Sequence, residues 1–372
     1  MERQMERRRE SEPLTMDTMV EGLWKFRDAE RQKTKTLPRV LKGKDIPWVQ
    51  NAQTYYHGFI RPGLMNRLKQ GPIFTMMIAE QMVFPAHKSG RHRHYYEAIF
   101  YTIDGEGYEI HDNKRWDWAT GDVMTVPTFC IHQHFNSRAD KPAHFLFSTP
   151  NFAEFMGVGN IEQMEINENY QIPEGSEPFY NHQGEMEGYK TKEGLTLSFG
   201  RDEDLQKMME ARRAKPFEAD AKDTYEYYLK LLTEQTKWRD AVPHVIKDKD
   251  RPWENTRFGR VKYFVSPAFP GGLTLYDCFT QEIPPGSRSG KHTHVSEEVH
   301  FILEGKGYDV HDGVRHDWEK GDLVCIPINT THQHFNSDPR NPAKYVAIQS
   351  RLYHYIGHGG FQHLEDCPEF KA

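Results

Sequence analysis

The sequence predicts an all-β-dominated chain: two antiparallel barrels, closed or sandwiched, with a helical connector and an N-terminal arm. Three observations carry this. Residues 90–137 read GRHRHYYEAIFYTIDGEGYEIHDNKRWDWATGDVMTVPTFCIHQHFNS, and residues 290–337 read GKHTHVSEEVHFILEGKGYDVHDGVRHDWEKGDLVCIPINTTHQHFNS. From position 87 to 137, 22 of 51 positions match their partners at a constant offset of 200 without a gap, so one supersecondary unit occurs twice. Each copy breaks into short β-branched or aromatic runs between turn residues. The 22 prolines spread through 372 residues argue against a long helical bundle, because each removes a helical hydrogen bond.

In chain order, residues 1–60 read as an N-terminal helix (13–36) and an extended arm carrying Pro38 and Pro47. The first barrel is expected over 61–155. Its runs include Ile99 to Ile103 and Val123 to Val126, with turns at Gly105-Glu106-Gly107, His111-Asp112-Asn113 and Gly121-Asp122. Residues 156–254 read as a connector, polar at first and then helical. Asp202–Arg213 carries Leu205, Met208 and Met209 on one face. Asp223–Asp240 carries Tyr225, Tyr228, Leu229 and Leu232, with Asp223 as N-cap. These stripes are expected to pack against the barrels. The second barrel is expected over 255–355, repeating the pattern with Val299 to Leu303, the Asp312-Gly313 hairpin signature and Leu323 to Ile326; 356–372 forms a tail. Pro127 and Pro327 stop further ladder bonding.

Composition narrows the function. With 48 basic against 54 acidic residues the net charge is −6, which gives no electrostatic reason to hold nucleic acid. The basic run Arg7-Arg8-Arg9 reads as a solvated tail. No stretch approaches 18 apolar residues, so no membrane span is expected, and the first 20 residues lack the apolar region of a secretory signal. Cys130, Cys278, Cys325 and Cys367 lie far apart, which fits a reducing, cytoplasmic setting.

The 20 histidines matter by position. In a strand, side chains alternate, so His-x-His puts two imidazoles on one face. His92 and His94 do this in the first copy, and His292 and His294 in the second. Glu298 shares their parity, and His332 comes from a distant strand. Three imidazoles and a carboxylate suit a first-row divalent metal such as Mn, Fe, Co or Ni. In the first copy His92, His94 and His132 persist, but Ala98 replaces the carboxylate, and Glu97 has the wrong parity to substitute. An octahedral Fe(II) on three imidazoles keeps three positions, enough for a chelating substrate and O2. Four protein ligands leave only two, so the first barrel is the better candidate for oxygenase chemistry.

His134 shares the parity of His132 and is a candidate base; the bland reading is a structural histidine bonded to a carboxylate such as Asp112 or Asp117. Phe100, Thr102, Trp116 and Trp118 are candidate lining for an aromatic-accepting pocket. His300 and His316 replace Phe100 and Trp116, which makes the second cavity more polar. Candidate cations for a substrate carboxylate are Arg61, Arg67, Arg91, Arg93, Arg115 and Arg138, with Arg91 and Arg93 turned away by parity. Gly105-x-Gly107 and Gly305-x-Gly307 lack the spacing of phosphate loops.

On these residues the chain resembles the bicupins of the cupin superfamily, which implies that each barrel is a double-stranded β-helix of jelly-roll type. The second copy carries both family motifs, Gly286, His292, His294, Glu298 and Gly305, then Gly321, Pro327, His332 and Asn336, with Asn329 at a usual glycine. The first departs at Ala86, Ala98 and Phe129. Its His92-Arg93-His94-Tyr95-Tyr96-Glu97-Ala98 and Cys130-Ile131-His132-Gln133-His134 look like the gentisate, salicylate and 1-hydroxy-2-naphthoate dioxygenase branch. That resemblance implies Fe(II) on His92, His94 and His132, with His134 near substrate. It also implies cleavage of a hydroxylated aromatic acid between its carboxylated and hydroxylated carbons. Ile131 stands where the branch usually has Trp, and the complete second site is unusual for it. The alternatives are an Mn-dependent bicupin acting on a small carboxylic acid, in the manner of oxalate decarboxylase-like proteins, and a metal-poor binding protein. The long arm and Tyr-rich connector point to a homo-oligomer.

Overall fold

The computed structural model describes residues 20–22, 24–25, 35–60, 71–154, 156, 161–192, 196–198, 207, 210, 216–241, 243–269 and 275–371. The helices expected over 13–36 and 202–213 lie largely outside the described residues, as do Arg61 and Arg67.

Each repeat supplies a seven-stranded and a five-stranded antiparallel sheet. In the first repeat the larger sheet runs Val245–Ile246, Val123–Val126, Ala98–Asp104, Ala143–Pro150, Met76–Val83, Tyr55–Ile60, Val49–Gln50. The smaller runs Ile161–Glu165, Arg91–His94, His132–Asn136, Glu106–His111, Lys114–Ala119. The second repeat has the same two orders, with Val40–Leu41 on the edge of the larger sheet and Phe361–Glu365 on the edge of the smaller. The segment expected as a C-terminal tail therefore contains a sheet strand.

The larger sheets are buried on both faces, which explains why their strands read as continuous apolar runs rather than alternating ones. Ala98, Phe100, Val126, Phe145 and Trp118 form one core with the smaller sheet of the first repeat. Ile302, Trp318, Val324, Tyr345 and Ala347 do the same in the second. The opposite faces meet each other: Ile99, Tyr101, Val123 and Leu146 share a cluster with Phe264, Val299, Phe301 and Val346. The pairs Phe59–Phe301 and Tyr101–Phe264 cross this boundary at ring separations of 6.0 and 6.1 Å. The molecule is thus four layers deep, in the order five-, seven-, seven-, five-stranded.

The repeats also exchange edge strands. Val40–Leu41, ahead of the first repeat, pairs with Leu323 and Val324 of the second. Val245–Ile246, ahead of the second, pairs with Val123 and Met124 of the first. Lysines clasp both exchanges: Lys42 Nζ lies 2.6 Å from Asp322, and Lys247 Nζ 2.9 Å from Asp122. Glu97 and Glu297 cross in the same reciprocal way. Glu97 accepts from Leu275 N at 2.5 Å, while Glu297 accepts from Phe74 N and Thr75 N at 2.9 and 2.8 Å.

The connector holds a three-stranded sheet over 177–198 and the helix Thr224–Asp240. Asp223 caps that helix, its Oδ1 accepting from Glu226 N at 2.8 Å. The expected packing of its stripe is corrected: Tyr225, Tyr228 and Leu232 are exposed.

Candidate metal centres

In the first repeat, His92 and His94 lie on strand Arg91–His94 and His132 opens the neighbouring strand, directly across from His92. Alternation turns all three inward. Their ligand atoms lie within 4.8 Å of one another, and the rings of His92 and His132 are 4.1 Å apart. The Nδ1 atoms of His92, His94 and His132 face the carbonyls of Gly90, Tyr96 and Cys130. An Nδ1–H donated to a carbonyl leaves Nε2 as a lone pair, the tautomer a metal requires. Among the described residues, the buried Nε2 of His132 has no partner. Burial pushes His92 and His132 well down and His94 to about 4, so the imidazoles are neutral. The donor set fits a divalent metal.

The second repeat gathers His292, His294, Glu298 and His332 within the same 4.8 Å limit. Glu298 bridges His294 Nε2 and His300 Nε2 at 2.9 and 2.8 Å. Burial opposes its charge, but His300 and His294 hold its carboxyl well below the usual range.

The two centres differ at position 98. Ala98 lines a cavity of about 380 Å3 that also touches His92 and His94. Tyr96, Phe100, Phe147 and Met77 give it apolar walls, and Gln53 and Gln81 add polar groups. The buried Gln53 Oε1 has no partner among the described residues.

Of the four expected lining residues only Phe100 reaches this cavity. Thr102 and Trp118 are buried in the core, and Trp116 stacks on His244 with ring centroids 4.8 Å apart. Arg91 faces Glu165, Arg93 binds Glu162, Arg115 binds Asp117 and Arg138 binds Asp104. None of these four lines the cavity.

His134 is fully buried behind Phe100, the rings 4.7 Å apart, and does not line the cavity. Its Nδ1 lies 3.0 Å from Glu109, not Asp112 or Asp117: Asp112 sits at a hairpin tip accepting from Ile131 N, and Asp117 is exposed. The same carboxylate binds His111 Nε2. Burial opposes ionisation of Glu109, yet His134 and His111 bring it down to about 2. Sequence reasoning missed Glu109. Its signal was alternation, since residues 107, 109 and 111 share a face and Glu109 pairs with His134 across the ladder.

Three glycine-like turns frame the motifs without glycine: Ala86, Phe129 and Asn329 have φ of 56°, 67° and 59°, against 65° at Gly286. The turn geometry of the repeat is retained across the change of residue.

A family model described as a cupin domain matches residues 79–149 and again 279–349. The chain carries two cupin domains. A gentisate 1,2-dioxygenase of Haloferax is 23% identical to this chain over 289 residues, 74% of this chain and 71% of the relative. A salicylate 1,2-dioxygenase of Pseudoaminobacter salicylatoxidans, solved with gentisate, superposes with a TM-score of 0.54 at 17% identity, covering 95% of this chain and 96% of that chain. A Bacillus subtilis oxalate decarboxylase superposes equally well, TM-score 0.55 at 14% identity over 88% and 80% of the two chains. The overall fold therefore does not choose between those chemistries; the residues of the centres must. No helix among the described residues is long and apolar enough to cross a membrane.

Proposed function

We propose that this bicupin is a non-haem Fe(II)-dependent dioxygenase that opens the ring of a hydroxylated aromatic acid, and that the reaction takes place in the first repeat. The observation that carries the reading is Ala98: the position that holds Glu298 beside His294 in the second repeat here opens onto an aromatic-walled cavity. His92, His94 and His132 would hold the iron. Iron held there would supply a centre at which a chelating substrate and O2 could meet.

The chain's own residues do the rest. Three backbone carbonyls fix the tautomers of the histidines. Tyr96, Phe100 and Phe147 accept a flat ring by offset or edge contacts and keep water from the reacting face. Gln53 and Gln81 are placed to accept or donate a hydrogen bond to a hydroxyl or carboxylate. With no arginine among the described residues on the cavity wall, carboxylate recognition falls to these amides and to the metal. His134 holds its proton arrangement against ionised Glu109 and is the group we assign to proton handling, acting from behind Phe100.

The reading takes each pair of facing sheets as a barrel over 61–155 and 255–355, with 1–60, 156–254 and 356–372 as arm, connector and tail. It also assigns a divalent metal to His292, His294, Glu298 and His332, and a homo-oligomer whose contacts use the exposed Tyr225, Tyr228 and Leu232. The second reading rests on that complete four-donor set: manganese there would support non-redox chemistry on a small carboxylic acid.

The test is anaerobic loading of the full chain with iron or manganese separately, then oxygen uptake over a panel of gentisate, salicylate, 1-hydroxy-2-naphthoate and oxalate. Ring-opened product with equimolar oxygen uptake, in the iron form, is expected. Turnover of oxalate alone, without oxygen uptake and with manganese, would replace this reading by the second.

A further inference from the structure

Beside the first centre lies a separate group of donors that the dioxygenase reading does not use. One ligand atom from each of His111, His244 and Cys130 lies within 4.8 Å of the other two. His111 comes from the strand Glu106–His111 and Cys130 from the turn before His132. His244 comes from the connector segment that crosses to this sheet, where its carbonyl accepts from Thr125 N at 2.9 Å.

The hydrogen bonds set the tautomers. A neutral imidazole has one N–H. His111 Nε2 faces the ionised Glu109, so its proton is committed there and its Nδ1 presents a lone pair. That lone pair meets His244 Nδ1 at 2.5 Å, with Trp116 stacked on the His244 ring at 4.8 Å. Glu109–His111 is then the outer half of a carboxylate–histidine–metal arrangement, the usual way a ligating imidazole is oriented and made more basic.

The other repeat supplies the control. Pro38-Arg39-Val40-Leu41-Lys42 corresponds to Pro243-His244-Val245-Ile246-Lys247, and the carbonyl of Arg39 accepts from Cys325 N at 2.7 Å just as that of His244 accepts from Thr125 N. There His311 is kept, Thr330 replaces Cys130, and Arg39, lining the same groove as His311, replaces His244. One repeat fills the position with a permanent guanidinium. The other offers two imidazoles and a thiol, which carry no fixed positive charge.

We propose that His111, His244 and Cys130 form a third metal site, holding a borderline-soft divalent ion of the zinc class through two imidazoles and one thiolate. Such a set favours Zn2+ over the harder ions suited to nitrogen and oxygen donors. Tetrahedral bonds of about 2.0–2.3 Å place donors roughly 3.3–3.6 Å apart, so the two nitrogens need to open by about 0.8 Å. Burial already pushes His244 down to about 4, which keeps it neutral for ligation.

Cobalt(II) is the probe, because a thiolate ligand gives it a near-ultraviolet charge-transfer band that nitrogen and oxygen donors do not. The metal-free full chain is titrated with cobalt(II) while absorbance and bound metal are followed. Three equivalents are expected, one of them bringing the band. Cys130→Ser should bind one equivalent fewer and lose the band. His244→Arg, which copies Arg39 of the second repeat, should do the same while keeping the cysteine. No band in the wild-type chain at saturation overturns the site, and so does a band that survives unchanged in Cys130→Ser or His244→Arg. Neither result bears on whether the three-histidine centre performs ring cleavage.

Discussion

At position 98 a methyl group stands where position 298 carries a carboxylate, and the consequence reaches from one side chain to the chemistry. Removing the carboxylate leaves a neutral ligand set and empties the volume the substrate needs. The pairs His92–His94 and His292–His294 were legible from strand parity, because alternation is fixed by backbone geometry. The gathering of His132, Glu298 and His332 beside them was not a matter of parity, since each lies on another strand. Glu97 sits between strands, just before Ala98, and binds Leu275 N instead. The depth of His134 was not legible. Parity says which face a side chain takes, not whether Phe100 stands in front of it. His132→Ala should lose the first-repeat metal together with oxygen uptake, as metal analysis and an oxygen electrode would show. His134→Ala should keep the metal and lower kcat by about 100-fold, with a changed pH–rate profile; loss of the metal would make His134 a structural support of the centre.

At the scale of elements, the exchanged strands are what tie the connector to the first centre. Lys247 satisfies Asp122, whose side chain is 6% exposed, and Lys42 satisfies Asp322 at 3%. Removing the lysine leaves a buried carboxylate short of its partner. Lys247→Ala is therefore expected to cost about 1–2 kcal/mol, discounted because the lysine itself is one-third exposed, as measured by urea unfolding. An unchanged midpoint would show that Val245–Ile246 is held by its ladder bonds alone. The strands of both repeats were legible as apolar runs between Gly-Asp and Pro. The exchange was not, because two-residue strands carry no periodicity. The signal was present in the likeness of residues 38–45, PRVLKGKD, to 243–250, PHVIKDKD, at an offset of 205 rather than 200. The helix Thr224–Asp240 was legible from its cap and spacing, but its partner was not. An amphipathic stripe says that a face is apolar, not what covers it.

At the scale of the molecule, four stacked layers bury two histidine-lined centres, and burial sets the acid response. His94 is pushed down to about 4 and His292 to about 3 by burial. In the unfolded chain these groups bind protons near pH 6.5, so the unfolded state takes up more protons and stability falls as pH drops from about 6.5 towards 4. Glu109 acts in a lower window: held down to about 2, it stabilises above its unfolded value near 4.3 and loses that contribution only below it. Thermal unfolding of the metal-free chain should show Tm declining from pH 6.5, with bound metal moving the onset lower. A flat Tm between pH 7 and 4.5 would mean that the imidazoles are not held neutral in the folded state.

Oxygen uptake by iron-loaded Ala98→Glu, set beside Glu298→Gln, bears most directly on where the chemistry lies. The new glutamate fits the cavity, restores the four-donor pattern and should retain iron while uptake with the aromatic acid falls at least about 100-fold, the scale of losing an essential group at a centre. Glu298→Gln should keep wild-type uptake. Full activity in Ala98→Glu, or loss of activity in Glu298→Gln with the first centre still loaded, would contradict the assignment of ring cleavage to the three-histidine repeat.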